Sequence, residues 1–291
     1  MTVVHRWLAE PLPRIVAQAL QRLAAAPGVP RDVELGELSD AGLQKRVARD
    51  VRIEFGTLGR GNHFLEVQAD DEGQLWLMVH SGSRALGPAV RDHHLAAGEA
   101  VGKGLLALDP EGAGRRYLAD HHCAIAFAQQ NRRAIAEAAA RALHDALAAD
   151  VVWDTWFDVV HNFVRREEHD GVWLWVHRKG ASSARADEAG VIPGSMGSWS
   201  FHVAGRGCAA SLCSSSHGAG RRLARGDAMR TISRRDLERD LAAVFFERQL
   251  ASRLLDEAPT AYKDISAVMR AQRDLVRIVR RLRPVLAYKG A

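Results

Sequence analysis

Residues 51–84 contain two alternating stretches and one short apolar run joined by glycine-rich and polar turns. They run Val51-Arg-Ile-Glu-Phe55, Gly56-Thr-Leu-Gly-Arg-Gly-Asn-His63, Phe64-Leu-Glu-Val-Gln68, then Leu75-Trp-Leu-Met-Val-His80 and Ser81-Gly-Ser-Arg84. A two-residue period bounded by turn residues predicts strands over 51–55 and 64–68, and the short apolar run predicts a third over 75–80. Strand, polar loop and strand in that order place His and Arg side chains at strand ends.

Outward from this stretch the pattern changes. Residues 8–27 read as an amphipathic helix followed by a proline-bearing connection. Residues 117–148 are Ala-rich with no internal Gly or Pro, which predicts one long helix or two abutting ones. Val172-Trp-Leu-Trp-Val-His177 alternates again and ends in Arg178-Lys-Gly-Ala181. Ser182 to Gly190 reads as a polar loop, and 191–197 and 214–221 as turn-rich segments; 233–256 and 264–283 read as helices. Helices and strands mixed without strict alternation predict an α+β fold, with mixed or antiparallel sheets packed against helices. No low-complexity linker divides the chain, so a single domain over residues 1–291 is expected.

Composition limits the function classes. The 291 residues are 47% apolar and 26% charged, which excludes wholesale disorder and leaves enough apolar surface for a sizeable core. No apolar run is long enough to span a membrane, and the first residues carry no secretory h-region. Cys123, Cys208 and Cys213 are too few and too irregular for a disulfide framework, so a reducing cytoplasm is expected. The net charge is +5, but from His217 onward 17 Lys and Arg face 9 Asp and Glu. Such a basic quarter suits a polyanion or phosphate partner, and equally suits solvated helix faces.

Four histidines stand where chemistry is plausible. His63, His80 and His161 lie at or next to strand–loop junctions, and neutral imidazoles suit Zn, Mn, Fe, Co or Ni, so the three could form one face of a metal site. None has zinc-finger or His-Glu-x-x-His spacing, so a hydrogen-bonded, partly buried histidine is the competing reading for each. His217-Gly-Ala-Gly-Arg-Arg-Leu-Ala-Arg225 puts small residues beside a histidine and two arginines one helical turn apart. That loop is either an anion cradle whose histidine attacks phosphorus, or a tight turn opening a surface helix. His177-Arg-Lys-Gly180 fits phosphate binding or an exposed turn.

Taken together, these segments resemble the RtcB family of RNA ligases, which join a 3′-phosphate or 2′,3′-cyclic phosphate end to a 5′-hydroxyl end. The resemblance covers 56–291 and rests on 56–66, His80-Ser-Gly-Ser-Arg84, His161-Asn162, Arg178-Lys-Gly-Ala181, Ile192-Pro-Gly-Ser-Met-Gly197, Ser216-His-Gly-Ala-Gly-Arg221, Ala261-Tyr-Lys-Asp-Ile265 and Lys289-Gly290. Asn131-Arg132 also looks familial. The resemblance implies that His217 is guanylylated by GTP and that His63, His80 and His161 are manganese ligands. Asn62, Phe64, Glu66, Asn162, Pro193, Ser195, Met196, Ser200, Ala219, Gly220, Arg221, Tyr262 and Lys289 are implied to bind the nucleotide, with Glu66 and Lys289 reading the guanine edge. Arg84 and Arg225 are implied to meet phosphate and RNA. An archease-type activator is an implied partner.

The chain also departs from the family pattern. The family's metal site draws an aspartate and a bridging cysteine from an upstream Asp-x-Gly-Cys-Gly-Met, and residues 1–55 contain neither that motif nor any cysteine. A chain short at its N-terminus is therefore expected. The alternative to a ligase is a catalytically impaired paralogue or fragment that binds guanosine nucleotide or RNA without ligating. A metal-dependent phosphohydrolase is a third reading.

Overall fold

The structure is a computed structural model that describes Val33 and residues 35–290. The helix expected over 8–27 lies outside the described residues. The elements run α1 (Ala41–Glu54), β1 (Phe64–Asp70), β2 (Leu75–His80), α2 (Leu86–Leu95), β3 (Glu99–Gly102), β4 (Leu105–Ala107), α3 (Ala113–Leu147), β5 (Asn162–His169) and β6 (Val172–Lys179). They continue β7 (Ala181–Ser183), β8 (Ala189–Ile192), β9 (Ser200–Gly205), β10 (Ser214–Ser216), α4 (Arg225–Thr231), α5 (Arg234–Asp240), α6 (Ile265–Ala271) and β11 (Val276–Lys289). Their arrangement is α+β, as the mixed pattern predicts. Among the described residues no helix is long and apolar enough to cross a membrane.

The main sheet has the order β2-β1-β11-β9-β8, with every neighbouring pair antiparallel. All seven residues of β1 are buried. Leu65 and Val67 pack against Ile135, Ala139 and Ala142 of α3, while Glu66 and Gln68 occupy the opposite face of the strand. A strand in mid-sheet thus buries an apolar face and a polar face together. Where β1 meets β11 the register shifts between Val67 and Gln68, opposite Leu286 and Pro284. Proline has no N–H to give to the ladder, so a bulge is the place that tolerates it.

Three predicted elements are corrected. Residues 51–54 end α1, whose Asp40 cap accepts from Leu43 N at 2.7 Å. Leu43, Val47 and Val51 form an i, i+4 stripe buried against Leu86, Val90 and Phe127, so the helical period outweighs a short alternating run. The helix expected over 233–256 stops at Asp240, and Phe245 instead donates from its N to Val285 O at 2.8 Å beside β11. The helix expected over 264–283 is only α6. From Val276 the chain is a 14-residue strand, because β1 and β9 offer hydrogen bonds along both its edges. The segments read as loops at 182–190 and 214–221 contribute the short strands β7, β8 and β10.

The long Ala-rich helix is observed as α3, 35 residues or about 52 Å. Small side chains along it allow close packing under the sheet. Asn131 is fully buried: its Oδ1 accepts from Gly56 N at 2.7 Å, and its Nδ2 donates to Thr57 O at 3.2 Å and Ser81 Oγ at 3.1 Å. Arg132 donates to Ser81 O at 2.9 Å and to both oxygens of Asp158 at 2.5 and 2.6 Å. One helical position pair therefore pins the three loops that lead to His63, His80 and His161.

Candidate active site

The four histidines come together from four chain segments. His63 enters β1, His80 ends β2, His161 precedes β5 and His217 follows β10. Antiparallel pairing sets Phe64 opposite His80, which brings His63 alongside. Ring centroids are 5.7 Å apart for His63–His80, 5.3 Å for His80–His161 and 4.8 Å for His161–His217. The Nε2 atoms of His80 and His161 face each other at 3.2 Å.

All four rings are held neutral. Burial lowers His63 to about 4, assisted by the charge of Arg84, and lowers His161 to about 4, assisted by His217. His80 falls well below its ordinary range, first through burial and then through its histidine neighbours. Burial also lowers His217. His217 Nδ1 lies 2.6 Å from Gly180 O. A carbonyl can only accept, so Nδ1 carries the proton and Nε2 carries the lone pair.

Neutral imidazoles whose buried Nδ1 atoms make no hydrogen bond, as at His63 and His161, fit a borderline divalent ion. Among the described residues, however, no three His, Cys, Asp or Glu side chains are gathered into a metal-holding group. The histidines are neighbours in a row.

A cavity of about 1690 Å³ opens over this row. His63, His80, His161 and His217 line it together with Asn62, Phe64, Asn162, Pro193 and Arg84. Arg84 has a left-handed backbone (φ 54°), and its guanidinium crosses Gly59, where a Cβ would collide with it. Gly61 is likewise shaved to admit Arg225, whose Nη1 would lie 2.7 Å from a Cβ there. Asn162 Oδ1 accepts from Gly180 N at 3.3 Å, and Pro193 O accepts from Ala219 N at 3.0 Å.

Lys289 joins this cavity to a second cluster of polar groups. Its Nζ is 5.3 Å from the Phe64 ring and 2.6 Å from Glu257 Oε2. Glu257 also accepts from Tyr262 Oη at 2.8 Å and Arg221 Nη1 at 3.3 Å, and Arg225 Nη2 stands 3.8 Å away. Glu66 is buried, which raises its carboxyl to about 7 against the opposing pull of Lys289 and Gln68. Gln68 Nε2 donates to Glu66 Oε2 at 2.7 Å and to Ser200 Oγ at 3.2 Å.

The remaining predicted nucleotide residues divide. Gly220 (φ 72°) accepts at its carbonyl from Lys263 N at 2.9 Å, shaping the loop after His217. Ser195 is tied to Ser198, N to Oγ at 2.7 Å. Ala219 is packed with Ile192 and Phe201, and Met196 with Leu237 and Leu241, so both are core residues whose part is to seat the loops.

Sequence reading misses Glu257 and Gln68, which are buried polar residues in ordinary-looking polar sequence. It also offers Arg178 as a phosphate cation. In the structure Arg178 is buried and makes a two-pronged pair with Glu167 at 2.7 and 2.9 Å, so it is a structural tie. The β5–β6 hairpin turns at Asp170-Gly171, both with positive φ as a two-residue turn requires, a signal the strand reading at 172–177 did not use.

The family profile described as tRNA-splicing ligase RtcB matches residues 13–290. The RNA-splicing ligase RtcB of Escherichia coli K12 is 40% identical over 251 residues, covering 81% of this chain and 61% of that protein. The RNA-splicing ligase RtcB of Mycobacterium tuberculosis is 33% identical over 308 residues, covering 90% and 70%. The tRNA-splicing ligase RtcB of Methanopyrus kandleri is 31% identical over 318 residues, covering 88% of this chain and 32% of its own length. The chain thus spans about 61% of the length of the Escherichia coli relative.

Proposed function

The chain belongs to the RtcB family, and from that premise we propose that it is an RNA ligase using GTP, with His217 as its nucleophile. The observation that carries the reading is the 2.6 Å bond from His217 Nδ1 to Gly180 O, on a ring that lines the cavity. It fixes the tautomer that leaves Nε2 able to attack, and it orients the ring as a second group does in other activated nucleophiles.

Nε2 attacks the α-phosphorus of GTP, an N–P bond forms, and the bond to pyrophosphate breaks. The Gly180 carbonyl stabilises the ring as it gains positive charge. The RNA 3′-phosphate then takes GMP from His217, which regains its lone pair. The 5′-hydroxyl oxygen attacks that activated phosphorus, the phosphodiester forms and GMP leaves. A 2′,3′-cyclic phosphate is first opened by water to the 3′-phosphate. Glu66 and Lys289 orient guanine from the edge of Phe64. Arg84 and Arg225 offset phosphate charge. Where a manganese ion is bound, His63, His80 and His161 would contribute imidazole ligands that further oxygen or sulfur ligands must complete, and the ion would supply Lewis-acid polarisation of the phosphoryl oxygens.

A second reading is a guanosine-nucleotide binder that does not ligate, and it is favoured by the finding that, among the described residues, no three His, Cys, Asp or Glu side chains form a metal-holding group. One assay separates the two. The chain is incubated with α-labelled GTP and Mn²⁺, with and without an archease-type activator. The ligase reading expects acid-labile label on the chain, lost in His217→Ala. Nucleotide binding with no label under either condition favours the second reading.

A further inference from the structure

The β5–β6 hairpin stands apart from the main sheet as its own two-stranded ribbon. Alternate residues of β6 share one face, so Trp173, Trp175, His177 and Lys179 form a row. Trp173 is 58% exposed and Trp175 is 41% exposed. Two neighbouring indoles at that exposure are unusual, since tryptophan is among the more buried residues on average. The pairing register sets Arg166 opposite Trp175 and Glu168 opposite Trp173, and the Arg166 guanidinium lies 5.1 Å from the Trp173 ring.

The inner end of this row reaches the reaction centre. His177 and Lys179 line the same cavity as His217, and the next residue is Gly180, whose carbonyl holds His217 Nδ1. At about 3.3 Å per residue, Trp173 to Lys179 spans about 20 Å, with one side chain every ~6.7 Å. Flat aromatic faces with cations beside them are what a single-stranded nucleic acid needs: bases stack and phosphates pair, with little demand on sequence. On this face the cations Arg166 and Lys179 stand against one carboxylate, Glu168, which matches a polyanion better than an apolar protein surface.

We propose that the Trp173–Trp175–His177–Lys179 face is a track for single-stranded RNA that delivers a 3′ end to His217. The proposal rests on the ligase reading for the identity of the strand's end, and on the hairpin itself for the track.

The test measures fluorescence anisotropy of 5′-labelled oligoribonucleotides of 4 and 12 nucleotides bearing a 3′-phosphate, with the full chain. The 12-mer is expected to bind at least tenfold more tightly than the 4-mer. Trp173→Ala and Trp175→Ala should each weaken the 12-mer roughly tenfold or more, while Trp→Phe at either position restores most of the loss. Leu174→Ser, on the opposite face, should leave 12-mer affinity unchanged. Photocrosslinking of 4-thiouridine RNA to the unmodified chain should map to the peptide containing Trp173 and Trp175, which needs no variant to fold.

Equal binding of the two lengths overturns the track, as do crosslinks elsewhere or an equal effect of Leu174→Ser. So does a finding that the alanine variants only dissociate a self-associated chain. Labelling of the unmodified chain by α-labelled GTP reports separately. If it fails while Trp-dependent RNA binding holds, the ligase reading falls and the RNA-binding face stands.

Discussion

Glu257 receives Lys289 Nζ at 2.6 Å and Tyr262 Oη at 2.8 Å while only 2% exposed, which makes it the anchor of the nucleotide side of the site. Burial is the largest single influence and would raise its carboxyl, but the charge of Lys289, the hydrogen bonds from Lys289 and Tyr262 and the charge of Arg225 together hold it below the ordinary range. Glu257→Gln removes one charge of a buried pair and strands Lys289, a change that costs about 3–5 kcal/mol. Urea denaturation should show that loss, and a GTP titration should show weaker binding. Gln keeps the hydrogen bond from Tyr262, so loss of both at once ties binding to the charge. Glu66 gives a pH prediction. Its carboxyl titrates near 7 in the folded chain, above its ordinary value, so the acceptor form grows as pH rises. GDP affinity should increase from pH 6 to pH 8, and Glu66→Gln should flatten the profile. Glu66 was legible in its motif. Glu257 was not, because it falls just past the helix expected over 233–256, in a segment with no motif of its own. Its burial is decided by partners 32 and 36 residues away, which no local window contains.

The β5–β6 hairpin shows how an element acquires stiffness it could not have alone. An isolated two-stranded ribbon is marginal in water, yet this one carries a buried Glu167–Arg178 pair at its base. Arg178 also donates to Leu212 O at 2.8 Å and Ser214 Oγ at 2.9 Å, which binds the hairpin to the segment before His217. The hydrogen bonds from Arg178 hold Glu167 at about 2, against an ordinary 4.5. A depressed folded value means that the pair's stabilisation is complete above pH 4.5 and is lost as pH falls toward 2. Glu167→Gln should therefore destabilise by about 3–5 kcal/mol at pH 7. The gap between variant and parent in urea should shrink steadily below pH 4.5 and stay constant from pH 6 to 8. The strand at 172–177 was legible from its alternation. The strand at 276–289 was not, because its apolar residues broken by four arginines do not alternate cleanly, and the waiting edges of β1 and β9 decide it.

Across the whole molecule, charge and connection must be separated. The basic quarter from His217 onward is partly neutralised within the fold: Arg221 meets Glu257, Arg234 meets Glu238, Arg277 meets Asp187 and Arg280 meets Asp70. Net charge along the sequence therefore overstates the field available to a polyanion: Arg221 and Arg280 meet buried carboxylates, while Arg234 and Arg277 lie in exposed pairs of the solvated-face kind. The site is assembled instead by α3. Asn131 satisfies Gly56 N, Thr57 O and Ser81 Oγ at once, and Arg132 secures Ser81 O and Asp158. Asn131→Ala would leave several buried polar groups unpaired at about 1–3 kcal/mol each, without touching the apolar stripe that packs α3 under the sheet. The expected outcome is a helix that stays folded while the loops carrying His63 and His80 loosen. Hydrogen exchange should quicken at Gly56 and in the segments 56–63 and 80–84, but not along α3. Guanylylation by labelled GTP should fall further than global stability does. Exchange that quickens throughout α3 would instead mean that Asn131 supports the helix itself, and the loops only through it.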